Sequence, residues 1–162
     1  MLKPAIIYKD ELLKLFSEEI YTEDYFLYVG YPGDHSLPEI DTSNNYTRYA
    51  ILNSEHEVIG YLSYYTDFYT DCAYHFGLYS FDKGNPIIGK DLFSEMERLV
   101  QNHHRIEWRM IGGNPVERSY DKFCKKHNGN KYVLKDTVMD LQGRYRDCAI
   151  YEIITDVNKL GV

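Results

Sequence analysis

Apolar and polar positions change their period along this chain, and each change marks an element. From Asp10 to Ile20 the apolar residues Leu12, Leu13, Leu15, Phe16 and Ile20 recur at helical spacing with charges between them, which predicts a helix. Glu23 to Val29 either continues it or forms a second. Gly30 to Asn45 gathers Gly, Pro, Asp, Ser and Asn without periodicity and reads as a long loop. The period then becomes two. Tyr46 to Leu52 and Val58 to Tyr65 alternate around a turn at Asn53 to His56, and Cys72 to Phe81 follows as the next strand. A helix beginning near Pro86 stripes Ile88, Leu92, Met96 and Leu99 along one face. Arg105 to Ile111 (RIEWRMI) returns as a strand and ends in Gly112 and Gly113. A second helix then buries Val116, Tyr120 and Phe123 or Cys124, with Asn114 as its cap, Pro115 next and Glu117 in the capping-box position. Lys125, Lys126 and His127 suit its negative end, and Gly129 stops it. Tyr132 to Leu141 and Tyr145 to Ile154 alternate across Gln142 and Gly143, a closing hairpin.

The chemistry concentrates where the aromatic strand YHFGLYSF runs through DKGNP into the Pro86 helix. The first N–H groups of a helix lack intrahelical partners and sit at the positive end of its dipole, so a loop delivered there favours an anion. Asn85 is placed to cap this helix and Pro86 occupies its first position. Lys83 and Lys90 flank the loop, while Gly84 and Gly89 leave backbone open to a phosphate. Plain punctuation between strand and helix would look the same. The run Gly84 to Lys90 also fits the nucleotide pattern G-x-x-x-x-G-K, but Asp91 stands where a magnesium-binding hydroxyl belongs. A carboxylate beside phosphates repels them, and the preceding strand alternates instead of running continuously apolar.

A chain of 162 residues with 44% hydrophobic residues has the length of one domain, 1–162. Its formal charge of −7 disfavours nucleic acid or an anionic membrane as partner. Cys72, Cys124 and Cys148 are odd in number and widely spaced, against both a disulfide framework and a zinc site, so a reducing cytoplasm is expected. No apolar run approaches membrane-spanning length. The adjacent His103 and His104 point to different helix faces and read as solvated residues, so no metal is expected.

Helix, hairpin, strand, anion loop, helix, strand, helix, hairpin resembles the element order of the GNAT superfamily of acyl-CoA-dependent N-acyltransferases. The resemblance spans Tyr46 to Ile154. NSEHEVIGY resembles the family's second-to-third strand hairpin, FDKGNPIIGKDLF its pyrophosphate loop, IGGNPVERSYDKF the end of its fifth strand and the following helix, and GRYRDCAIYEII the last strand of the ribosomal-protein-acetylating branch. The loop departs from the family pattern in that its glycines stand five apart with Pro86 between them. The resemblance implies an α+β sandwich whose mostly antiparallel sheet is splayed around the donor, with helices on both faces.

It further implies acetyl transfer from acetyl-CoA to a primary amine on a small molecule or a protein, or else a catalytically weak module of the same fold that binds acyl-CoA. The backbone of Leu78, Tyr79, Ser80 and Phe81 would face the pantetheine, and Lys83, Gly84, Gly89 and Lys90 would surround the pyrophosphate. Tyr120 would be the general acid that protonates the leaving thiolate, although it also lies on the apolar stripe of its helix. Glu107 and His75, on the strands that would flank the donor, are the candidate bases. Glu107 has Arg105 and Arg109 as alternative partners, and His75 has strand hydrogen bonding. Asn114 would hold the donor or only cap its helix. Direct transfer needs no covalent intermediate, which leaves Cys124 as a core residue. The acceptor is expected to be cationic and to enter between the acidic loop of Asp34, Glu39 and Asp41 and the turn carrying Asp67 and Asp71. The protein is expected to act as a monomer or homodimer.

Overall fold

The computed structural model describes residues 1–31, 33–43 and 45–155. Positions 32 and 44 of the predicted loop, and 156–162 at the end of the predicted domain, lie outside the described residues. The alternating segments form β2 (Tyr46–Leu52), β3 (Val58–Asp67), β4 (Cys72–Ser80), β5 (Arg105–Ile111), β6 (Asn130–Met139) and β7 (Tyr145–Ile154). A short strand that the sequence pattern did not predict, β1 (Leu2–Pro4), pairs with β2. Three residues ending in proline carry no readable period, which is why it was missed. Together they make a seven-stranded sheet in the order β1-β2-β3-β4-β5-β7-β6. The helices are α1 (Lys9–Glu19), α2 (Glu23–Val29), α3 (Pro86–Asn102) and α4 (Glu117–Lys126).

Helices pack on both faces because the strands alternate. On one face Ile88, Leu92, Met96 and Leu99 of α3 and Phe123 of α4 bury against Leu62, Ile106, Trp108 and Tyr151. On the other, Leu12 and Phe16 of α1 and Tyr25 of α2 meet Ala50, Leu52, Tyr61 and Tyr79. Phe16 is fully buried, with the rings of Tyr61, Tyr79 and Phe81 at 5.5, 5.2 and 5.0 Å from its own. Truncation of so enclosed a ring costs about 3–5 kcal/mol.

Every strand pair is antiparallel except β4 with β5, which are parallel. Among the described residues these two are in register at Cys72 with Arg105 and Ala73 with Ile106, and then they part. A bulge in β4 accompanies the parting. His75 takes a left-handed φ of 56° where the register against β3 shifts between Ser63 and Tyr65, and an extra residue of this kind bends a strand away from its neighbour. Gly77 completes the bend. A Cβ there would lie 2.9 Å from both Ser63 Oγ and Tyr28 Cε2, so no other residue fits without displacement.

Three local expectations are corrected. The capping box at α4 does not form: Glu117 pairs with Lys131 at 3.0 Å, and Asn114 Oδ1 accepts instead from Val116 N at 3.1 Å. The stop of α4 is shared, because Asn128 takes the left-handed φ of 54° while Gly129 is needed for close approach, its absent Cβ lying 2.5 Å from Glu152 O. His103 and His104 are not solvated. Asp71 accepts from His104 N at 2.9 Å and lies 2.8 Å from His103 Nδ1, and His104 Nδ1 lies 2.9 Å from Thr155 O. The pair fastens the start of β5 to the turn before β4, at the closed end of the splay.

Candidate active site

Where β4 and β5 part, each leaves one edge without a neighbouring strand, and a cavity of about 380 Å³ opens between them. Unpaired strand edges carry N–H and C=O groups that need partners. One wall is β4 from Phe76 to Ser80, another is Arg109 and Met110 of β5, and the N-terminus of α3 closes one end. Asn85 Oδ1 caps α3 by accepting from Ile87 N at 3.0 Å, and Pro86 stands first, as the sequence predicts. Gly84 turns the loop with a φ of 82°. A Cβ at Gly84 or at Gly89 would meet nothing within 4 Å, so the space over this positive helix end is open. Ser80 Oγ, in the cavity wall, is buried with no hydrogen-bond partner among the described residues. An unpaired buried hydroxyl costs free energy until something bonds to it. Exposed amides, an orphan hydroxyl and an uncovered helix terminus together suit a ligand with amides at one end and phosphates at the other.

Of the residues predicted to hold the donor, Leu78, Tyr79, Ser80, Lys83, Gly84, Gly89 and Asn114 line this cavity. Phe81 and Lys90 are not among its lining. Phe81 turns to the opposite face against Phe16 and Tyr79, and Lys90 is exposed. The Tyr79 side chain also points away, its hydroxyl donating to Glu19 Oε2 at 2.8 Å, so that residue offers backbone to the cavity. Lys83 is already engaged in an ion pair with Asp24 at the start of α2, and both residues line the mouth. Asp24 carried no signal in the sequence, since an acidic residue in a first helical turn is explained by the helix dipole alone.

Tyr120 lies in the cavity wall. Its ring is held by Trp108 at 5.7 Å, Tyr151 at 5.9 Å and Phe93 at 6.1 Å, and Trp108 stacks on Tyr151 with the planes 4° apart. Tyr151 is tethered in turn by donating to Asp121 Oδ1 at 2.8 Å. Burial, with Tyr151 adding to it, raises the pKa of the Tyr120 phenol above its ordinary value, so the hydroxyl carries its proton at neutral pH.

The two candidate bases separate. Glu107 is placed on the open face of the sheet, where Arg105 Nη2 donates to it at 2.8 Å and to Glu152 at 2.9 Å. It is not among the cavity's lining residues. His75 is exposed and lines a second cavity of about 330 Å³ under α2, together with Tyr25, Tyr28, Asp34 and Ser63. Tyr28, Phe76 and Gly77 belong to both cavities, so the two meet at the bend of β4.

Asp34, Glu39, Asp41, Asp67 and Asp71 are the residues expected to flank the acceptor's entrance, and Glu39 is exposed. Asp41 pairs with Arg48 at 2.7 Å, Asp67 accepts from Tyr69 N at 2.9 Å, and Asp71 is occupied by the histidine pair. Of the five acidic residues, Asp34 lines the second cavity.

Comparison with solved structures decides the architecture. A provisionally named acetyltransferase of Acinetobacter baylyi superposes with a TM-score of 0.67 over 96% of this chain and 92% of its own, at 17% identity. The fold is that of the GNAT acetyltransferases. A ribosomal L7/L12 alpha-N-protein acetyltransferase in complex with coenzyme A shares this GNAT fold at a TM-score of 0.53, with 19% identity over 69% of this chain and 63% of that one. The spermidine/spermine N-acetyltransferase of Vibrio cholerae matches at 0.55, with 15% identity over 69% of this chain, which spans about two thirds of that protein's length. No family model and no curated protein matches the sequence. The GNAT fold is therefore carried here by structure, at identities too low for sequence comparison to detect.

Proposed function

We propose that this chain is a single-domain N-acetyltransferase that moves the acetyl group of acetyl-CoA to a primary amine. The observation that carries the reading is the splay of β4 from β5, which sets free strand edges beside an open helix N-terminus, with a protonated phenol in the same cavity. The pantetheine amides would bond the edge of β4 at Leu78 to Ser80, and the pyrophosphate would sit over Gly84 and Gly89. His75 takes a proton from the amine at the bend of β4, directly or through a water. The freed lone pair attacks the thioester carbonyl carbon, the C–S bond breaks as the Tyr120 phenol gives its proton to the departing thiolate, and the second proton left on the new amide nitrogen passes through solvent to restore the phenol. His75 is preferred over Glu107 because the Glu107 carboxylate is already held by Arg105. Asn114 lines the same cavity, and its Oδ1 accepts from Val116 N in the turn that precedes α4. The acceptor is an amine that is cationic in solution, no metal takes part, and the protein works as a monomer or homodimer. Three free cysteines suit a reducing cytoplasm, and no described helix is long and apolar enough to cross a membrane.

A second reading, an acyl-CoA-binding module with little turnover, is favoured by one observation: Lys83 is engaged by Asp24 instead of standing free for phosphate. Thermal unfolding separates the two readings from a nucleotide-binding one. Coenzyme A and acetyl-CoA are expected to raise Tm and ATP to leave it unchanged, since a ligand bound only by the folded state stabilises it by mass action. Release of free thiol from acetyl-CoA with a panel of primary amines then marks the transferase. Stabilisation by coenzyme A without thiol release would leave the binding module, and no stabilisation by either thioester or thiol would remove both.

A further inference from the structure

We infer that Asp24 is an internal competitor for the donor's pyrophosphate: its carboxylate holds the Lys83 ammonium at the mouth of the cavity until phosphate takes the cation over, and that exchange loosens the start of α2. The inference rests on the acetyltransferase reading for the place of the donor. It also accounts for the observation that favours a module with little turnover, because Lys83 is then engaged only while no donor is bound.

The start of α2 straddles the splay. Thr22 caps the helix by accepting from Tyr25 N at 3.2 Å, and the next two residues tie it to different halves of the sheet. Glu23 Oε1 accepts from Arg146 Nη2 at 2.7 Å, on β7 beside β5. Asp24 pairs with Lys83, in the loop that leaves β4. Consecutive carboxylates therefore strap the two halves together where β4 and β5 part. Asp24, Leu27 and Tyr28 fall at i, i+3 and i+4 on one helix face, and all three line the cavity.

The two ties differ in strength. Arg146 is 22% exposed and is fixed from two more sides, by Asp140 Oδ2 at 2.9 Å and Gly112 O at 3.4 Å. Lys83 is 72% exposed, and among the described residues Asp24 is its one ionic partner. A lysine is a point charge on a flexible stem, and an exposed ion pair of this kind is weak. Lys83 stands one residue before Gly84, whose left-handed turn leads to the open N-terminus of α3. A pyrophosphate there carries more negative charge than one carboxylate and accepts from the helix amides as well, so the ammonium passes to it. Asp24 is then left beside an anion without its cation. A seven-residue helix has little stability of its own, so its first turn loosens while the Glu23 tie keeps α2 attached.

The test compares the two partners of one ion pair. Coenzyme A is titrated by calorimetry into the unaltered protein, Asp24→Asn, Lys83→Met and Glu23→Gln, at low and at high salt. Asp24→Asn is expected to bind about two- to fivefold more tightly at low salt, the effect that an exposed pair supplies, and to lose that gain at high salt. Lys83→Met is expected to bind more weakly by at least as much. A tie that only held α2 in place would move both affinities the same way, since either change breaks it. Glu23→Gln cuts the other tie and is expected to leave the affinity within about twofold. An Asp24→Asn affinity no higher than that of the unaltered protein would overturn the inference, and so would an equal gain in Glu23→Gln. Hydrogen exchange on the unaltered protein needs no variant: coenzyme A is expected to speed exchange of the Glu23–Val29 amides by at least about twofold, and slower exchange there would overturn the loosening of α2. The donor reading fails separately. Coenzyme A binding equally with and without the Asp24 carboxylate removes the competition and leaves the donor site standing, whereas binding to neither protein removes the donor site and the competition with it.

Discussion

Tyr120 tests how far one residue can serve packing and chemistry together. Its ring is buried among Trp108, Tyr151 and Phe93, yet it lines the cavity between β4 and β5, and its raised pKa keeps the phenol protonated at neutral pH. Tyr120→Phe preserves the ring and removes the proton. Turnover is expected to fall by about 10²-fold or more, in the range typical of a positioned acid, while the Kd for coenzyme A changes less than about twofold. Steady-state rates and a binding titration on the same preparation check this. Equal turnover in the two proteins would reduce Tyr120 to core packing. The rigidity of its surroundings is what makes the comparison clean, because the Trp108–Tyr151 stack does not depend on the hydroxyl that is lost.

At the scale of elements, α3 is the most informative, since its sequence announces both its start and its use. Asn85, Pro86 and the apolar stripe were legible because caps and periodicity are local. Gly89 in its first turn is not required by the fold: its Cβ would meet nothing within 4 Å. Glycine inside a helix costs about 0.8–1 kcal/mol relative to alanine. Gly89→Ala is therefore expected to stabilise the protein by about 0.5–1 kcal/mol in denaturant unfolding. Gly89→Val also keeps the fold but fills the space over the helix end, and is expected to weaken coenzyme A binding by tenfold or more. If the valine variant binds as before, the pyrophosphate does not sit on α3. What the sequence left hidden has a common cause, which is separation along the chain. The β4–β5 splay, the Asp24–Lys83 ion pair and the meeting of the two cavities at Tyr28 join residues far apart in order. Gly77 is similar, because its need for a missing Cβ comes from Tyr28 on α2 and Ser63 on β3. The resemblance to GNAT proteins supplied the splay, where periodicity alone could not.

Across the whole molecule the buried members of the 17 tyrosines hold their protons more tightly than free phenols do. Tyr28, Tyr64, Tyr79, Tyr120 and Tyr151 all have pKa values raised above the ordinary value, in each case first by burial. Three of them also donate to carboxylates, Tyr64 to Glu95 at 2.6 Å, Tyr79 to Glu19 at 2.8 Å and Tyr151 to Asp121 at 2.8 Å, and each such bond favours the neutral phenol. The sign of the linkage follows from counting protons. Below about pH 10 these phenols are protonated in both the folded and the unfolded chain and stability does not depend on them. Above it the unfolded chain releases those protons while the folded one keeps them, so stability falls as pH rises. A spectrophotometric titration is therefore expected to show a late ionisation step from these buried phenols that coincides with loss of the near-ultraviolet circular dichroism signal. Ionisation of all the tyrosines near pH 10 with that signal intact would contradict the burial of both aromatic clusters, and with it the packing that sets the walls of both cavities.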